Sequence, residues 1–202
     1  MINENFGILV TINWNSHNWS APASNDDLKR SNFSYVKENY YTHEDLNFGH
    51  EKYPLEDNGR YIAYVPQFED KEPAKAKANE IKLMLFKSQN PLTKEHFLIG
   101  MYGFPSIGLQ YREAHHEMFK RYDYGFVSSL KENISLFKNP LLIIEETWIR
   151  KKYLPLGKKL GQQGWNYLSN ENVLRILDKV YIDNKENLIL KRFRSKMALG
   201  KI

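Results

Sequence analysis

Apolar positions along the chain fall into short runs separated by polar loops. Gly7–Trp14 (GILVTINW) is an almost continuous apolar and β-branched run, which predicts a strand buried on both faces. Residues 15–32 are polar and hold Pro22 and the cluster Ser24–Asp27, so a loop with one helical turn is expected. In Ser31–Glu38 (SNFSYVKE), Phe33, Tyr35 and Lys37 alternate with Ser34, Val36 and Glu38, which predicts a strand with an aromatic side. Residues 40–59 read as loop, ending in an Asn58-Gly59 turn, and Arg60–Phe68 (RYIAYVPQF) reads as a second strand. The charged stretch 69–80 reads as an exposed loop or short helix. Two apolar runs, EIKLMLFKS and HFLIGMYGF, flank a polar Asn-Pro segment and predict a hairpin. Gly100 and Gly103 in its second strand mark a bulge or a close approach of another chain. Residues 114–137 look helical or mixed, and NPLLIIEETWI looks like a strand or buried segment. The clearest helix is SNENVLRILDKVY, with Ser169 as N-cap and an apolar stripe through Val173, Leu174, Ile176, Leu177 and Val180.

Several strands and a few helices, without regular alternation, argue for an α+β fold around a curved mixed sheet or open barrel. The expected organisation is a domain over 1–146 followed by a basic, partly helical segment over 147–202.

Composition sharpens this picture. The 202 residues include 13 Tyr, 11 Phe and 4 Trp, too aromatic for a disordered chain. There is no cysteine, so disulfides and thiolate chemistry are excluded and a cytoplasmic location is expected. The N-terminus does not read as a signal peptide, and no apolar window is long enough for a membrane span. The net charge of +5 is unevenly spread: residues 146–202 carry 13 basic and 5 acidic side chains. Such a field attracts phosphates or an acidic protein surface, although a solvated basic tail has the same composition.

Enzyme signatures are sparse. Adjacent His115 and His116 point about 100° apart on a helix and do not readily share a metal. His43, Glu44 and His50 could meet on a loop, yet a structural or solvated role suits them better. No nucleophile elbow, P-loop or dinucleotide fingerprint occurs. One candidate remains, a magnesium-dependent nuclease site of the PD-(D/E)xK type built from Asp57 and the Glu80-Ile81-Lys82 triplet. The ExK triplet is common in Lys/Glu-rich chains, and no catalytic, metal or cofactor site is expected.

The segment NWNSHNW has a different character. Trp14 and Trp19 stand among Asn13, Asn15, Ser16 and Asn18, pairing flat apolar walls with hydrogen-bonding groups. Recognition of an extruded base needs both. Trp14, at a strand end, fits a core position as well as a pocket wall; Trp19, in a polar loop, fits a surface or pocket better. Trp148 and Trp165 read as structural.

The order of GILVTINWNSHNWS, SNFSYVKE and EIKLMLFKSQNPLTKEHFLIGMYGF resembles the PUA-like superfamily, in particular its EVE and YTH branches, over residues 6–145. The resemblance implies a small, curved mixed sheet with flanking helices that binds nucleic acid and holds a flipped, modified base in an aromatic cage. It also implies likeness to the N-terminal DNA readers of McrBC-type, modification-dependent restriction systems. There Trp14, Trp19, Phe33 and Tyr35 would enclose the base, and Asn13, Asn15, Ser16 and Asn47 would bond its edge or the backbone. Lys151, Lys152, Lys158, Lys159, Arg192, Arg194 and Lys196 would hold phosphates. The implied partners are DNA, methylated DNA included, or RNA, with a motor domain and a nuclease subunit if the chain is a fragment. The rival expectations are the nuclease above and a protein-interaction module.

Overall fold

The computed structural model describes residues 6–69, 71–74, 80–155, 158, 160 and 164–202. Among the described residues eight strands form two open sheets. The larger contains β1 (Gly7–Ile12), β3 (Leu83–Gln89), β4 (His96–Gly103), β7 (Ile134–Ile143) and β8 (Trp165–Leu168), in the order β7-β4-β3-β1-β8. It is mixed, because β1 runs parallel to β3 while every other pair is antiparallel. The smaller, antiparallel sheet contains β2 (Arg60–Ala63), β5 (Ser106–Tyr111) and β6 (Tyr124–Leu130), in the order β2-β6-β5.

Strand alternation sorts the core into two layers. Ile8, Val10, Ile12, Met84, Phe86, Ile99 and Tyr102 face the smaller sheet and pack with Tyr61, Ala63, Phe126 and Val127. Leu9, Leu83, Leu85, Leu98 and Met101 face the other way. There they meet Trp148 of α3 (Glu145–Arg150), the stripe of α4 (Asn170–Asp183), and Leu190, Phe193 and Met197 of α5 (Leu188–Ala198). The fold is therefore α+β, with a helical layer, a mixed sheet and a smaller sheet stacked in that order. Residues 147–202 supply β8 at the edge of the large sheet and the two helices that cover its outer face.

Several elements match their sequence patterns. Strand β1 is buried on both faces, the 83–103 hairpin forms, and Ser169 caps α4 in a capping box with Asn172. The register of β4 slips between Leu98 and Gly100, so Ile99 and Gly100 both face the smaller sheet. Gly100 is where Phe48 comes closest to the strand, and Gly103 lies under the ring of Phe193.

Other expectations are corrected. SNFSYVKE is not a strand: after α1 (Asn25–Arg30), the helical turn expected in 15–32, Ser34–Asn39 forms a second short helix, α2, closed by Tyr40 in the left-handed conformation. Its alternation carries no burial signal, since Phe33 and Tyr35 are both exposed and Val36 is the one buried residue of the helix. Residues 114–137 are mixed and hold no α-helix: a 3-10 turn at Glu117–Lys120 precedes β6, and another at Lys131–Asn133 joins β6 to β7. Buried Ser128 and Ser129 interrupt the apolar pattern of β6 and leave a spacing that imitates a helix. NPLLIIEETWI splits between the end of β7 and α3. Neither sheet closes into a barrel. The charged stretch around 75–79 lies outside the described residues.

An added Cβ at Gly100 would stand 2.6 Å from the Phe48 ring and 2.7 Å from the Ser135 carbonyl oxygen. Gly100→Ala is expected to lower stability by about 1–3 kcal/mol, read from the urea unfolding midpoint.

Candidate nucleic-acid interface

The opening strand runs into a loop that is held from inside. The 3-10 turn His43–Leu46 and the following Asn47 and Phe48 are not surface loop, because Glu44, Asp45, Leu46, Asn47 and Phe48 are all buried. Their polar groups meet partners that also need them. Glu44 Oε1 accepts the Asn13 amide at 3.0 Å, and Asp45 Oδ1 accepts Asn15 Nδ2 at 2.8 Å. Asp45 Oδ2 accepts the Tyr122 hydroxyl, and Asn47 exchanges two bonds with the Tyr64 backbone. The hydroxyls of Tyr61 and Tyr102 donate to the carbonyls of Leu46 and Asn47.

This network accounts for NWNSHNW. Trp19 is 3% exposed, and its indole N–H donates to the Asn13 carbonyl at 2.7 Å. Asn18 and Trp19 both adopt positive φ, an uncommon choice for so bulky a residue, and the Trp19 carbonyl accepts the Phe48 amide. Trp14 is half-buried, edge-on to Trp19 at 5.8 Å and beside Phe97 at 6.1 Å. Asn13 receives the Ser31 hydroxyl, and Asn15 spans Ala21, Asp45 and His17. Ser16 is exposed but bonds Asp27 through both its amide and its hydroxyl. Burial pulls the Asp27 carboxyl upward, yet hydrogen bonds from Ser16 and Ser24 hold it below its ordinary value.

Trp14 and Phe33 do share a notch with Asn13, Ser31, Gln89 and His96, but its volume is about 40 Å³. That is room for a water or two, not a base. Tyr35 does not line that notch; its phenol lies within electrostatic reach of Tyr41 and Tyr124.

A second aromatic cluster, absent from the sequence reading, spreads over the smaller sheet. His43 stacks on Tyr64 at 4.7 Å and 26°, stands edge-on to Tyr41 at 4.6 Å, and tilts against Tyr124 at 5.0 Å. Tyr124 continues to Phe126 and to Tyr111, which is 67% exposed. The Arg121 guanidinium covers the Tyr41 ring at 4.0 Å. Tyr41 donates its hydroxyl proton to the Arg121 carbonyl, so its contact with His43 Nδ1 at 3.0 Å makes that nitrogen the donor. Burial lowers the His43 pKa, against the pull of Glu69 and Asp123, which favours a neutral ring with Nε2 as acceptor. Burial also raises the phenols of Tyr41, Tyr64 and Tyr124, so they stay protonated at neutral pH. The cluster could have been suspected from the tyrosine pairs of 40–41 and 122–124, but nothing local says that they meet.

The basic residues of the C-terminal part are dispersed in role. Lys151, Lys152, Lys158 and Lys196 are exposed. Arg192 donates to the Glu132 carbonyl and Asn133 Oδ1, whereas Arg194 pairs with Asp178 and covers Tyr181. Lys159 lies outside the described residues. Asp57 sits in the turn before β2 of one sheet, and Glu80 precedes β3 of the other. Among the described residues no group of three His, Asp or Glu side chains could hold a metal, and no helix is long and apolar enough to cross a membrane. No protein-family model, curated protein or solved structure matches this chain.

Burial pushes the Glu44 carboxyl up to about 7 and the Asp45 carboxyl up to about 6. The folded state thus prefers the protonated acids. Their contribution to stability is full below the ordinary carboxylate pKa and is lost as pH rises through these folded values. Glu44→Gln keeps an acceptor for Asn13 and removes the titration. The wild-type melting temperature is expected to fall relative to that of Glu44→Gln between about pH 5 and about pH 8. Trp19→Ala, which empties a buried site, is expected to cost about 3–5 kcal/mol in urea unfolding.

Proposed function

We propose that this chain is a nucleic-acid-binding module that stacks a base on the ring surface formed by His43, Tyr111 and Tyr124, with Tyr35 at its margin. The observation that carries the reading is the continuity of that surface. A ladder of rings begins in the core at Phe126 and Tyr64 and ends at the open face of Tyr111. Rings anchored at one end and open at the other lose little freedom when a base stacks on them. Nucleic acid is also the ligand class that the resemblance to PUA-like readers implies, with DNA as the favoured target.

The polar groups around the rings refine the ligand. His43 Nε2 is an acceptor, and Glu69 and Asp123 add negative field. This surroundings suits a base edge that offers amino or ring N–H donors, or one carrying positive charge from N-methylation. The role is binding, without catalysis by this chain.

Tyr111→Ala and Tyr35→Ala remove exposed rings and should leave the melting temperature within a degree or two of wild type. Each is expected to weaken binding of a labelled single-stranded oligonucleotide by about 1–3 kcal/mol in fluorescence anisotropy. Unmodified and N-methylated bases compared in the same titration report the preference. Equal affinity for wild type and both variants would remove the ring surface from the interface.

A further inference from the structure

We propose that the groove beside Arg112 is a phosphate-binding site. It lies on the β5–β6 connection, has a volume of about 730 Å³, and is lined by Arg112, His115, His116, Glu117, Phe119 and Lys120. The inference stands apart from the ring surface and does not require that surface to bind a base.

Arg112 is fixed in place before any ligand arrives. Its amide donates to the Asp123 carbonyl at 2.7 Å. Glu56 Oε2 takes the next two amides, those of Glu113 and Ala114, at 2.9 and 3.1 Å. The guanidinium lies between two rings, 4.9 Å from the Tyr61 centroid and 4.4 Å from that of Phe119. Nη2 donates to the Ile62 carbonyl at 2.5 Å. Nε and Nη1 are buried and make no close hydrogen bond, the Tyr61 hydroxyl being a polar neighbour of the guanidinium, and no described carboxylate forms an ion pair with this cation.

A guanidinium cannot shed its charge at any ordinary pH, so this cation keeps a full positive charge that no described ion pair neutralises. A charge half removed from water and without a counter-ion is costly, and an anion seated in the groove compensates it. The groove offers further donors for one multivalent acceptor. His116 Nδ1 accepts the Met118 amide, which places the proton of the neutral ring on Nε2. Lys120 adds an exposed ammonium. Several donors of different direction around one pocket suit the four oxygens of a phosphate better than the two of a carboxylate. Glu117 on the rim and the unpartnered Glu56 Oε1 are the opposing acids. A phosphate that keeps a proton, or that carries a sugar hydroxyl beside it, can donate to such an acid.

The phosphate can come from a monoester or from the backbone of a strand, and separate arms of one experiment distinguish them. The C2–H resonances of His115 and His116 would be followed by NMR during titration with inorganic phosphate, then with a short thymidine oligonucleotide, at matched ionic strength in chloride. Saturable shifts are expected in at least one arm. Shifts with inorganic phosphate assign a monoester; shifts with the oligonucleotide alone assign a diester. Arg112→Gln is expected to weaken the effect about tenfold or more. Lys120→Ala, an exposed change that spares the fold, should weaken it several-fold. Shifts with Tyr111→Ala that match wild type in the phosphate arm keep this site separate from the ring surface. No saturable shift in either arm, or affinity unchanged in Arg112→Gln and Lys120→Ala, would overturn the proposal.

Discussion

Burial of one polar segment, Thr42–Phe48, between the two sheets is the constraint on which the rest of the structure depends. Carboxylates and amides removed from water must find partners, and here the partners are chain ends that would otherwise be unfastened. Glu44 and Asp45 hold the exit of β1 through Asn13 and Asn15, and Asn47 holds the exit of β2 through Tyr64. Tyr122, just before β6, closes on Asp45. Three separate parts of the chain therefore meet at one short turn, and its two acids carry a pH sensitivity with them.

The same turn fixes what the surface can do. With Glu44 and Asp45 turned inward, His43 is turned toward Tyr41, Tyr64 and Tyr124, and the ring ladder grows from it. The β5–β6 connection completes the arrangement. Its two ends supply Tyr111 and Tyr124, and its middle supplies Arg112, Lys120 and Arg121. The open end of the ring ladder and a groove lined by cationic side chains thus sit on one connection between paired strands. The ladder is anchored in the core, so binding there need not order a mobile loop first.

Much of the scaffold was legible because burial wrote it locally. The β1 run, the 83–103 hairpin with its glycines and the Ser169-capped helix each carry their own periodicity or cap. The site was less legible. Trp14 and Trp19 looked like pocket walls because their neighbours are polar, yet those neighbours bond Glu44, Asp45 and Asp27, which are distant in sequence. The segment HEDLN reads as solvated loop by composition, and only its long-range partners make it core. Asn47 was singled out for its side-chain chemistry, which the structure directs to the Tyr64 backbone. The ring ladder joins residues from 41 to 126 and has no local signature at all. Phe33 and Tyr35 were placed on a strand because alternation in a six-residue stretch can arise with no buried face behind it.

We propose that nucleic acid meets the tyrosine–histidine surface while the NWNSHNW loop remains packed structure. Chemical-shift mapping of the labelled protein during titration with a single-stranded oligonucleotide tests it most directly. Saturable shifts are expected in the ring resonances of Tyr111, Tyr124 and His43, with the indole N–H of Trp19 unmoved on its Asn13 carbonyl. Shifts concentrated at the Trp14 and Trp19 indoles with the tyrosines silent, or no shift anywhere, would contradict it.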